Sequence, residues 1–161
     1  MALVAYLAVA FVDTHASIAT ATKVAPWTPH SSELVPIPLA RRGKYAVRVN
    51  PTKQGSYGAL VSTLLAEPPD GRRFTIHLTL KGARGDPIGV VVDEFRPGAT
   101  SVYVVNTTVP ATRRWRHFTF SGRVQGSWLG LGMYVYRQNN GVKRTWFALR
   151  GLTVTLVRGS A

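Results

Sequence analysis

Residues 72–82 read RRFTIHLTLKG, and their alternation decides the fold. Phe74, Ile76, Leu78 and Leu80 fall on one side of an extended chain; Arg73, Thr75, His77, Thr79 and Lys81 fall on the other. Successive Cβ atoms of a pleated strand point to opposite sides, so a period of two predicts a β-strand with one buried face.

The same signal recurs on both sides of this strand. YAVRV (45–49) and YGALVSTLL (57–65) precede it. PIGVVVDEF (87–95), VYVVNTTV (102–109), WRHFTFSGRV (115–124), WLGLGMYVYR (128–137), TWFAL (145–149) and LTVTLV (152–157) follow. Turn signals separate them, among them EPPDG (67–71), ARGD (83–86) and QNNG (138–141). Nine or ten strands at this spacing, with no sustained helical period, predict an all-β fold: a two-sheet antiparallel β-sandwich of jelly-roll type. The 161-residue length suits one such domain. We place it at residues 41–161. Residues 1–40 form a preceding segment, and TKVAPWTPHSSELVPIPLARRG (22–43) reads as an extended, irregular connection.

Ala2–Val12 is apolar but too short for a membrane-spanning helix, which needs about 20 residues. Its length fits a secretory core, with Ala19-Thr20-Ala21 as a small-x-small cleavage pattern, although no Lys or Arg precedes it. A first strand is the other reading of the same residues. The secretory reading makes the protein extracellular.

Composition narrows the chemistry. The absence of cysteine excludes disulfides, thiolate metal sites and cysteine nucleophiles. Asp93 and Glu94 are the only adjacent acids, and strand neighbours point to opposite faces, so they are a poor pair for glycoside hydrolysis. The four histidines show no metal-ligand spacing, and no nucleophile-elbow, zinc-protease or phosphate-loop pattern occurs. Neither metal nor cofactor is expected. The net charge of +13 points to a polyanion such as nucleic acid or an acidic glycan. The basic residues are scattered, however, which also fits ordinary solvated side chains.

The order of segments resembles a known family. GKYAVRV (43–49), YGAL (57–60), FTIHLTLKG (74–82), Thr112-x-x-Trp115-x-x-Phe118, LGLGMYV (129–135) and WFALRGLTV (146–154) carry the likeness. The series resembles the jelly-roll carbohydrate-binding modules of bacterial xylanases and cellulases, in the galactose-binding-like superfamily. The resemblance implies a non-catalytic polysaccharide binder, tethered to a glycoside hydrolase or lyase. It implies an aromatic cleft across one sheet. It also implies that Trp115 is a buried core residue. One departure matters: Arg150 and Gly151 stand where the family often carries acids that help hold calcium. Calcium is therefore not carried over.

The strand at 128–137 supplies the aromatic candidates. Leu129, Leu131, Met133 and Val135 provide a core face; Trp128, Tyr134 and Tyr136 lie on the other, spaced by Gly130 and Gly132. Flat C–H patches of sugar rings stack on such rings, and the glycines would leave backbone bare for a glycan to approach. Arg73, His77 and Lys81 are candidate hydrogen-bond donors to hydroxyls or to an acidic glycan. Tyr57 and Phe95 are candidate cleft walls or core residues. Three rival functions are a polyanion binder, a structural or adhesion jelly roll, and a lyase acting on an acidic glycan.

Overall fold

A computed structural model describes residues 16–17, 27–39, 45–66, 71–95, 101–125, 130–139 and 145–157. The apolar stretch 2–12, the pattern at 19–21, the Pro-rich part of the 67–71 turn, Trp128 and the tip of the QNNG hairpin lie outside them.

Eleven strands are described: β1 (Ala16–Ser17), β2 (Thr28–His30), β3 (Ser32–Pro38), β4 (Tyr45–Pro51), β5 (Gly55–Ala66), β6 (Arg73–Gly82), β7 (Pro87–Phe95), β8 (Ser101–Pro110), β9 (Arg116–Arg123), β10 (Gly130–Asn139) and β11 (Phe147–Val157). They form two antiparallel sheets. One runs β3-β4-β11-β6-β9, with β1 also on β11; the other runs β2-β5-β10-β7-β8. This is the expected jelly-roll sandwich.

The inward positions of the 72–82 strand are those the alternation picked out. Phe74, Ile76, Leu78 and Leu80 are fully buried. Val90, Leu131, Val135 and Leu149 meet them in the same core. The sandwich is held by this shared apolar layer, burial of each such side chain contributing about 1.5–3 kcal/mol.

Two expectations need correction. The Pro-rich stretch is not an irregular connection, since β2 and β3 lie within it and pair with β5 and β4. Prolines interrupt a ladder only where an N–H is required, and both strands are sheet edges, so Pro29, Pro36 and Pro38 are accommodated. Between them Ser31 takes a positive φ of 49°, and there the chain passes from one sheet to the other. Trp27 just before it is buried in the core. The sandwich therefore begins well before residue 41. The second correction concerns 145–157. Within it, Phe147–Val157 is one strand with a bulge between Arg150 and Thr153, where Gly151 supplies φ = +62°.

Candidate functional site

The sandwich presents two outer faces, and the expected site residues divide between them.

Tyr134 and Tyr136 project from β10 on the outside of the β2-β5-β10-β7-β8 sheet. Their rings stack with centroids 5.0 Å apart and planes 11° from parallel. His30 from β2 meets Tyr134 edge-on at 5.2 Å. Both tyrosines are half-buried. Burial pushes the Tyr134 phenol above its ordinary range, with Ser56 nearby opposing the shift.

The glycines on this face have a different task from the one expected. They do not leave bare backbone. A Cβ on Gly132 would stand 2.5 Å from the Phe95 ring, and one on Gly89 would stand 2.4 Å from the Tyr136 ring. A Cβ on Gly130 would press on the Leu65 carbonyl oxygen at 2.9 Å. The glycines are seats for rings and for a neighbouring strand. Sequence parity could place the glycines and rings on one face, but not which ring crosses to which strand.

Asp93 shares this face. It pairs across the ladders with Gly132 on β10 and Tyr103 on β8. That register puts it diagonal to Tyr134, with Cα atoms at roughly 7–8 Å. Its Oδ1 is buried and accepts no hydrogen bond among the described residues. Burial raises its carboxyl above the ordinary range. Phe95 (37% exposed) and Tyr103 (61% exposed) flank it and keep open ring surface. Glu94 points into the core, where its carboxylate accepts a bond from the Gln125 amide at 2.7 Å. The two adjacent acids thus face opposite ways.

Tyr57 is not a cleft wall. It is fully buried on the inward side of β5, opposite Arg137. Its hydroxyl donates to the Thr145 carbonyl. Thr145 Oγ1 donates to Asp86 at 2.8 Å, and Asp86 pairs with Arg137 at 3.1 Å. Burial raises the Tyr57 phenol, with Arg137 pulling the other way. Parity along β5 sends this tyrosine to the core with Ala59 and Val61.

Arg73, His77 and Lys81 lie on β6, on the outside of the other sheet. The structure does not bring them together with the tyrosines. His77 stacks on His117 of β9 with centroids 5.3 Å apart; His77 Nδ1 is 3.2 Å from His117 Nε2 and 3.1 Å from Thr119 Oγ1. The Lys81 ammonium lies 4.7 Å from the Trp115 ring centre and 5.7 Å from that of Trp146. Arg150 stacks on Trp115 at 4.4 Å, and Arg48 on Trp146 at 4.6 Å. Trp115 is therefore not the expected core residue. It is half-buried and faces outward, one residue before β9 and in phase with His117 on that strand. That phase was legible in WRHFTF, where Phe118 and Phe120 take the inward positions. Trp146 and Arg48 carried no comparable signal.

Among the described residues no group of three histidine, aspartate or glutamate side chains is placed to hold a metal. No described helix is long and apolar enough to cross a membrane.

No family model and no curated protein matches the chain. Solved structures do. The chain is similar to the CBM22-1 xylan-binding domain from Paenibacillus barcinonensis Xyn10C, at 16% identity and TM-score 0.63 over 92% of this chain and 97% of that one. It is similar to the N-terminal cellulose-binding domain of Cellulomonas fimi β-1,4-glucanase C, at 14% identity and TM-score 0.60 over 83% and 90%. It is also similar to the Stig cyclase Fisc from Fischerella sp. TAU, at 10% identity and TM-score 0.63 over 88% and 90%. At these identities the likeness is one of fold, and folds of this kind host unrelated chemistries. The chain has a jelly-roll β-sandwich fold, shared with a xylan-binding domain, a cellulose-binding domain and a Stig cyclase.

Proposed function

We propose that the chain is a non-catalytic polysaccharide-binding module whose glycan surface is the outer face of the β2-β5-β10-β7-β8 sheet. The observation that carries this reading is the stacked Tyr134–Tyr136 pair beside Asp93, whose buried Oδ1 has no donor among the described residues. Flat rings receive the C–H faces of sugars, and an acceptor without a donor is matched to a sugar hydroxyl. Trp128 lies outside the described residues and is carried in the proposal as a sequence candidate for an aromatic cleft. The likeness to a xylan-binding domain and to a cellulose-binding domain supports β-linked neutral polysaccharide as the ligand class. A Clostridium thermocellum xylanase structure joins a related module to a catalytic one. An extracellular accessory module, attached to a glycoside hydrolase, is the corresponding setting for this chain.

Catalysis is the weaker reading. Hydrolysis of a glycosidic bond takes two carboxyls facing that bond. Asp93 is the only acid on this face among the described residues.

The test is titration calorimetry with xylohexaose and cellohexaose at low and high salt. Wild type binds at least one of them, with little loss as salt rises, because stacking on a neutral ligand is not screened. Tyr134→Ala and Asp93→Ala each weaken binding about tenfold, near 1.4 kcal/mol. Unchanged affinity in both variants, with folding intact by circular dichroism, rejects this face as the site.

A further inference from the structure

The opposite face carries an arrangement the glycan reading does not use. Arg48 and Lys81 flank Ala148 in the register of β4, β11 and β6, which puts their Cα atoms about 10 Å apart, two strand spacings. Ala148, between them in the register, is fully buried. Arg150 lies two residues further along β11. Each of the three cations rests on a tryptophan face, which fixes a side chain that otherwise sweeps through solvent.

None of the three forms an ion pair with a described acid. Glu33, on the edge strand β3, is the only described acid on this face. Further down β6, Arg73 stands opposite Arg123. Arg48 Nε donates to Asn50 Oδ1 at 2.9 Å, which further fixes that guanidinium. Guanidinium forks without a carboxylate partner are matched to carboxylates, which they bind through parallel hydrogen bonds.

We propose that this ring-held group of cations is a second binding site, on the face opposite the tyrosines, for a uronate-bearing polysaccharide. The site stands apart from the neutral-glycan surface and does not depend on it. A single-stranded nucleic acid fits less well. Its bases need open ring faces to stack on, and here Arg48, Lys81 and Arg150 occupy the faces of Trp146 and Trp115.

The test measures binding of the whole chain to polygalacturonate, neutral xylan and an oligothymidylate over a range of salt. Polygalacturonate binds at low salt and weakens steeply as salt rises. Lys81→Ala/Arg150→Ala lowers that affinity at least about tenfold and flattens the salt dependence. Lys53→Ala/Arg84→Ala removes the same charge from exposed turns and changes affinity less than about twofold. Trp115→Ala leaves the net charge intact and still weakens polygalacturonate about fivefold, because its cations lose their seat. Tyr134→Ala has no effect on polygalacturonate, which separates this site from the proposed glycan face. An equal loss in the two charge-removal variants shows net charge alone and overturns the site. No polygalacturonate binding, or tighter binding to oligothymidylate, overturns it as well.

Discussion

The Tyr136 ring lies against the backbone of Gly89 on the neighbouring strand, so close that a Cβ there would stand 2.4 Å from Cε1 and Cζ. The phenol ring spans the gap between β10 and β7 and uses the hydrogen of a glycine as its floor. Gly58 on the other side of β10 is equally tight, its Cβ position only 2.2 Å from the Val135 carbonyl oxygen. Tyr136 is thereby held parallel to Tyr134, and the proposed sugar platform is built before any ligand arrives.

Gly89→Ala therefore destabilises the fold by about 1–3 kcal/mol, the usual cost of overfilling a packed site. Tyr136→Ala removes the ring that the new methyl strikes. The double variant is then less destabilised than the sum of the two single changes. Urea unfolding of the two single variants and the double measures this coupling. Simple additivity would show that the ring does not rest on Gly89. The single Gly89→Ala change also weakens neutral-glycan binding, since Tyr136 must move to admit it.

Much of this architecture was legible from alternation alone. The strand at 73–82 declared both of its faces, and β10 separated its aliphatic residues from its tyrosines. Alternation gives a residue's side of its own strand, but not which sheet that strand joins. Outward parity alone groups Arg73, His77 and Lys81 with Tyr134 and Tyr136. They lie on opposite sheets because β6 pairs with β11 and β9, whereas β10 pairs with β5 and β7. Those are long-range pairings, and residue patterns within one strand do not encode them. Pro29, Pro36 and Pro38 misled in another way. Proline signals the loss of a donor, and an edge strand does not need that donor on its open side. Family likeness places Trp115 in the core, while its phase with His117 points outward.

Tyr57, Thr145, Asp86 and Arg137 form a polar knot at one end of the sandwich, and its worth is structural. Asp86→Ala strands the Arg137 guanidinium, whose side chain is only 13% exposed, and takes the acceptor from the Thr145 hydroxyl. The expected loss is roughly 2 kcal/mol, the scale of a hydrogen bond to a charged group. Thr145→Val deletes one neutral-to-charged bond and costs less, while Tyr57→Phe removes the hydroxyl that ties β5 to the start of β11. Thermal unfolding ranks the three. None of them weakens glycan binding by more than their effect on folding, because Tyr57 is sealed from either outer face. A selective loss of glycan affinity in Tyr57→Phe, at unchanged stability, would return this residue to the binding surface.

Asp93 gives the proposed glycan face a pH signature with a definite sign. Burial raises its carboxyl pKa in the folded chain above the unfolded value near 4. The folded state then holds the proton more tightly. The stabilising contribution is complete below the unfolded pKa and is lost as pH rises through the folded one. Asp93→Asn cannot ionise and escapes this loss. The unfolding midpoint of Asp93→Asn should therefore gain on wild type as pH rises from about 4 to 7. An offset that stays constant over that range would mean that Asp93 is not desolvated. Binding works in the opposite direction. A sugar hydroxyl donating to Oδ1 stabilises the carboxylate, so glycan binding releases a proton and wild-type affinity rises with pH across the same window. Asp93→Asn should bind neutral glycan more weakly and without that rise. Calorimetry in two buffers of different ionisation enthalpy measures the released proton directly, and its absence would remove Asp93 from the ligand.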